Sequence, residues 1–83
     1  MIDEFKFRKR LKALMQMRKF SQREFARKTN IDESIISFYL TGKRFPTIHN
    51  LLKMVKILNC DINYLLGLKE KEWEEWKKQY LLH

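Results

Sequence analysis

Residues 21–46 read SQREFARKTNIDESIISFYLTGKRFP. The stretch holds the apolar positions of two short helices, joined by a tight turn at Thr29-Asn30-Ile31. Ser21 is a good N-cap, and Glu24 three residues later completes a capping box, in which each side chain satisfies the other residue's backbone N–H. The pattern predicts a first helix over residues 22–28 that buries Phe25 and keeps Ala26 small where the next helix approaches. Asn30 tolerates the left-handed backbone that a tight turn requires better than most residues do. Asp32 then caps a second helix over residues 33–40, with Ile36 and Tyr39 inward and Ile31 plugging the turn. Gly42 suits the left-handed position that ends a helix, and Lys43 and Arg44 follow it.

Outward from this stretch the chain stays helical. On the N-terminal side, Phe5, Phe7, Leu11, Leu14 and Met15 form an apolar stripe at helical spacing, which predicts a helix over residues 4–18. On the C-terminal side, Phe45-Pro46 is an extended link and Thr47 caps a helix over residues 48–58, with Leu51, Leu52, Val55 and Leu58 inward. Asn59 fits the left-handed position after it. Asp61 caps a short helix over residues 62–66 that Gly67 stops. The end of the chain, LKEKEWEEWKKQYLLH, reads as one more helix: Glu74 and Lys78 form an i,i+4 pair, and acids precede bases as the helix dipole favours. Trp73, Trp76 and Tyr80 fall on one face of that helix. The expected fold class is all-α, with five helices in residues 1–67 and an extra C-terminal helix in residues 68–83.

Composition narrows the function. With 83 residues the chain has room for one small domain, and 45% hydrophobic residues allow it a core. With 2 Gly and 1 Pro it lacks the turns of an all-β fold. No apolar run reaches the roughly 18 residues of a membrane span, and MIDEFKFRKR lacks the apolar centre of a signal peptide. A cytoplasmic protein is expected. The single Cys60 cannot form an internal disulfide and is expected to be buried. His49 and His83 are too few and too isolated for a metal site or a catalytic triad, and there is no Gly-rich phosphate loop. Asp32 and Asp61 are explained as caps. No enzyme, no cofactor and no metal are expected.

Charge points the other way, toward a partner. The net charge is +8, and residues 1–67 carry all of it, with 14 Lys/Arg against 6 Asp/Glu. Residues 68–83 hold 4 of each and are neutral. A basic body fits a polyanion, and a neutral tail fits a different task. Two short helices joined by a tight turn and followed by a basic loop are the layout in which the second helix enters a DNA groove.

In these residues the chain resembles the Xre-type family of helix-turn-helix regulators, which includes the Cro and lambda-type phage repressors. The resemblance rests on Leu11 and Leu14, Ser21-Gln22, Phe25-Ala26, Asn30-Ile31, Ile36-Ser37, Gly42-Lys43-Arg44, Pro46, Leu51-Leu52 and Tyr64-Leu65-Leu66-Gly67. It covers about residues 5–67. It implies a compact five-helix bundle that binds double-stranded DNA, usually as a dimer on a palindromic operator, and controls transcription; a homodimeric repressor is expected. Matched to the family motif, Glu33, Ser34, Ser37 and Phe38 are the base-facing set, where Ser bonds base edges, Glu accepts from a cytosine amino group and Phe packs on a thymine methyl. Gln22, Lys43 and Arg44 are the phosphate contacts, with Arg10 and Arg23 as weaker ones. Lys9, Lys12, Lys53 and Lys56 read as solvated surface.

Three positions depart from the family pattern. Lys19 stands where the family often has Gly, so the first helix is expected to end differently or run on. Met15 and Leu40 stand where the family often pairs Arg with Glu, and a Met15–Leu40 contact is expected to replace the ion pair. Trp73, Trp76 and Tyr80 either fold back on their own domain or pack on a second copy as a dimerisation element, since aromatic residues are favoured at interface cores. A membrane-surface role fits poorly, because the polar face of that helix is balanced in charge. The rival readings are an antitoxin-type regulator whose C-terminal helix binds a partner protein, and a pure interaction module with Phe38 and the C-terminal tail as sticky surfaces.

Overall fold

Each helix begins at a residue whose side-chain oxygen accepts a first-turn backbone N–H: Asp3, Ser21, Asp32, Thr47 and Asp61. These caps satisfy donors that a helix leaves orphaned at its start. The computed structural model describes residues 2–68, which form α1 (Glu4–Met17), α2 (Gln22–Thr29), α3 (Glu33–Thr41), α4 (Ile48–Leu58) and α5 (Ile62–Leu65), with no strand among them. The expected C-terminal helix lies outside the described residues.

The helix ends follow from backbone chemistry. Asn30, Asn59 and Gly42 take left-handed conformations, with φ of 57°, 52° and 82°. Lys19 does the same at φ 60°, so α1 stops at Met17 and does not run on. A lysine thus occupies a conformation that a Cβ disfavours.

The core is built from Phe7, Leu11, Leu14 and Met15 of α1, Phe25 and Ala26 of α2, and Ile36 and Tyr39 of α3. Leu51, Met54 and Leu58 of α4 and Leu65 of α5 complete it, and Ile31 fills the turn. α1 packs against α3 and α5, while α4 packs against α2 and α5. The Phe7 and Phe45 rings meet edge-on at 5.0 Å, anchoring the link after α3 to α1. Arg18 Nε donates to the Leu58 carbonyl at 3.0 Å, placing a cation at the C-terminus of α4.

Two expected core residues face solvent. Phe5 is 60% exposed, because it sits two positions from Phe7, on the far side of α1. Leu52 is 56% exposed, and Met54, fully buried, takes the place expected of it. α4 carries two overlapping apolar stripes, and the one through Leu51, Met54 and Leu58 points inward. Val55 and Cys60 are half-buried at the edge of the core. Burial, aided by nearby Asp61, pushes the Cys60 thiol up to about 11.

Candidate nucleic-acid interface

α2 is fixed at its start by the capping box. Ser21 Oγ accepts from the Glu24 N–H at 3.1 Å, and the Glu24 carboxylate accepts from the Ser21 N–H at 3.4 Å. This holds Gln22 and Arg23 on the exposed first turn. Gln22 lines a concavity of about 340 Å³ together with Leu40 and Thr41 from the end of α3. Met15 lines the same concavity as Leu40, the residue it is expected to contact.

The turn into α3 is closed by the Ile31 N–H donating to the Ala26 carbonyl at 3.1 Å and by Thr29 Oγ1 donating to the Phe25 carbonyl at 2.7 Å. Asp32 then anchors the start of α3. Its Oδ1 accepts from the Ser34 hydroxyl at 2.6 Å and the Ser34 N–H at 2.8 Å. Those two bonds, the hydroxyl first, hold the Asp32 carboxyl below its ordinary pKa. The Ser34 hydroxyl proton is therefore engaged, and its lone pairs remain for an incoming donor.

Ile36 and Tyr39 point into the core, and Asn50 Nδ2 donates to the Tyr39 hydroxyl at 2.8 Å, tying α3 to α4. With the inner face fixed, Glu33 and Ser34 are exposed and Ser37 and Phe38 half-exposed. Their spacing puts these four residues on one side of α3.

The loop after α3 gathers beside Phe38. The Arg44 N–H donates to the Phe38 carbonyl at 3.3 Å, and Gly42 makes the left-handed bend. Arg44 Cζ lies 5.0 Å and Lys43 Nζ 5.6 Å from the centre of the Phe38 ring. Phe38 is thus packed by its own loop, with both cations held next to the α3 face.

Arg10 is placed elsewhere. It donates to the Tyr64 carbonyl and lies 4.3 Å over the Tyr64 ring, directed at α5 and away from α3. The structure brings Glu33, Ser34, Ser37, Phe38, Lys43 and Arg44 together, sets Gln22 by the end of α3, and leaves Arg10 out of the group. Arg8 was missed by the sequence reading: its Nη1 donates to the Thr41 carbonyl at 3.5 Å, at the C-terminus of α3. Nothing local in the sequence marks it, because the contact spans two helices. Trp73, Trp76 and Tyr80 lie outside the described residues.

Among the described residues no cluster of His, Cys, Asp and Glu could hold a metal ion, and no helix is long and apolar enough to cross a membrane.

The chain is similar to known proteins in sequence and in fold. The chain is 39% identical over 62 residues to the HTH-type transcriptional regulator ImmR of Bacillus subtilis (strain 168), a match covering 75% of this chain and 49% of ImmR. It therefore spans about half the length of that relative. Its fold is similar to that in the SinR protein/SinI protein complex, with a TM-score of 0.72 and 24% identity over 90% of this chain and 78% of that one. A transcriptional regulator from Listeria innocua gives a TM-score of 0.67 at 18% identity, covering 93% of this chain and 77% of that one. These two likenesses concern the fold. The helix-turn-helix family model matches residues 11–65, from the core of α1 through α5, and with it the chain belongs to the Cro/C1-type helix-turn-helix family of DNA-binding transcriptional regulators.

Proposed function

We propose that this chain binds DNA sequence-specifically as a homodimer and represses transcription, with α3 reading the major groove. The observation that carries the reading is the outward side of α3. Glu33, Ser34 and Ser37 stand there as polar groups able to bond base edges, and the Lys43–Arg44 loop is packed on Phe38 beside them. Gln22, Arg23, Lys43 and Arg44 contact phosphates and fix the register, with the exposed start of α2 well suited to an anion. The half-exposed Phe38 ring packs on a thymine methyl. The bound dimer acts by occupying the site that polymerase needs.

The test is a comparison of variants on a selected operator and on random duplex. Lys43→Ala weakens both alike and lowers the slope of log K against log salt by about one unit. Ser34→Ala changes which operator is preferred. Equal losses on both duplexes for Ser34→Ala would remove it from the base-reading set.

A second reading is favoured by one observation. Ile48 and Leu52, one turn apart on α4, are 64% and 56% exposed, an apolar pair suited to a protein. The SinR structure contains a second protein, SinI, and an antitoxin-type regulator held by such a partner fits the same features. In the homodimer reading Trp73, Trp76 and Tyr80 form the self-association surface. Light scattering that finds the same oligomer after residues 69–83 are deleted would take that role from them.

A further inference from the structure

Phe5 sets apolar surface in water at 60% exposure, yet its ring is not bare. Lys9 Nζ lies 5.3 Å and Arg8 Cζ 5.7 Å from its centre. Arg8 also reaches across to the turn after α3. Its Nη1 donates to the Thr41 carbonyl at 3.5 Å, and its side chain fills the space beside Gly42, where an added Cβ would meet Nη1 at 2.8 Å. Arg8 and Arg44 line one cleft, together with Glu4, Tyr39 and Phe45. Arg44 and Lys43 in turn hold Phe38. Two groups of cations and rings, Lys9, Phe5 and Arg8 in the first turns of α1 and Arg44, Lys43 and Phe38 at the outward side of α3, thus meet at the cleft that Arg8 and Arg44 both line.

We propose that the Phe5–Arg8–Lys9 corner of α1 is a further DNA-backbone contact, continuous with the Lys43–Arg44 loop, which extends the protein's footprint beyond the groove that α3 enters. The inference rests on the DNA-binding reading above. Phosphate is the group this corner fits. It sets two cations, Arg8 and Lys9, over one ring, and so offers a polyanion two charges held close together. The ring limits the wandering of both side chains, which reduces the ordering cost of a contact. Glu4 lines the cleft with Arg8 and Arg44, while Lys9 is exposed. Lys9, read from sequence as ordinary solvated surface, thereby gains a function.

The deciding experiment measures the salt slope of binding of the full chain to a random-sequence duplex, for wild type, Lys9→Gln, Lys43→Ala and Lys56→Gln. Lys9 is the clean probe, because Arg8 also supports the turn after α3 and its loss could displace the loop. The expected result is that Lys9→Gln lowers the slope by about one unit, as Lys43→Ala does, while Lys56→Gln leaves it unchanged. Phe5→Leu, which keeps apolar bulk but no aromatic face, weakens binding to the same duplex without lowering the melting temperature. A Lys9→Gln slope equal to that of wild type, with Lys43→Ala lowered, overturns the contact while the DNA reading stands. Salt-insensitive binding by wild type overturns both.

Discussion

Lys19 holds a left-handed conformation at φ 60°, one that costs a residue with a Cβ about 1–2 kcal/mol. Glycine recovers that cost but gives up about 0.5–1 kcal/mol of chain entropy. Lys19→Gly is therefore expected to stabilise the fold by roughly 0.5–1 kcal/mol and raise the melting temperature by a few degrees. A lower melting temperature would mean that the lysine makes a compensating contact. Gly42→Ala goes the other way. Its φ of +82° is strained for alanine, and the new Cβ would strike Arg8 Nη1. The expected loss is about 1–2 kcal/mol, with weaker DNA binding as the loop shifts. At Cys60 the folded pKa is raised to about 11, so the folded state keeps its proton when the unfolded chain has lost it. Stability from this group is complete below the ordinary thiol pKa of about 8.5 and declines as pH rises toward 11. Cys60→Ser should flatten that alkaline decline in denaturant titrations at successive pH values.

The helices were legible wherever punctuation is local. Ser21 and Glu24 announce the start of α2, Asn30 and Gly42 the bends on either side of α3, and Thr47 and Asp61 the later starts, because a cap needs only its own neighbouring backbone. Which face of a helix turns inward depends on neighbours that no local pattern contains. Phe5 and Leu52 fell into apolar stripes by sequence and face water in the fold, while Met54 is wholly buried. The two α4 residues give a direct contrast: Met54→Ala is expected to cost about 2–5 kcal/mol in urea denaturation, and Leu52→Ser close to nothing. Similar losses for both would mean that Leu52 has a partner surface. Ser21→Ala, which dismantles the capping box, should cost about 1 kcal/mol and loosen the start of α2. The candidate site divides in the same way. Glu33, Ser34, Ser37 and Phe38 come from the resemblance to the family motif, and helical spacing agrees in placing them outward once Ile36 and Tyr39 are inside. The roles of Arg8 and Arg10 are set by Thr41 and Tyr64 on other helices and could not be read from α1 alone.

Across the molecule, the charge of +8 lies entirely in residues 1–67, the part that contains the helix-turn-helix, and its phosphate contacts should dominate affinity. Non-specific binding is then expected to weaken steeply with salt, and discrimination among sequences is expected to depend on the few polar groups of α3. A homodimer would double that readout, since two copies related by a two-fold axis read a palindrome one half-site each. The central claim is that this face of α3 reads a defined sequence. Selection of genomic DNA fragments with the purified protein, followed by titration of the enriched site at two salt concentrations, tests it most directly. The expected result is an enriched palindrome bound tightly and salt-sensitively, far above random DNA. Weak binding that is the same for every sequence would contradict it and give the α3 face to another partner.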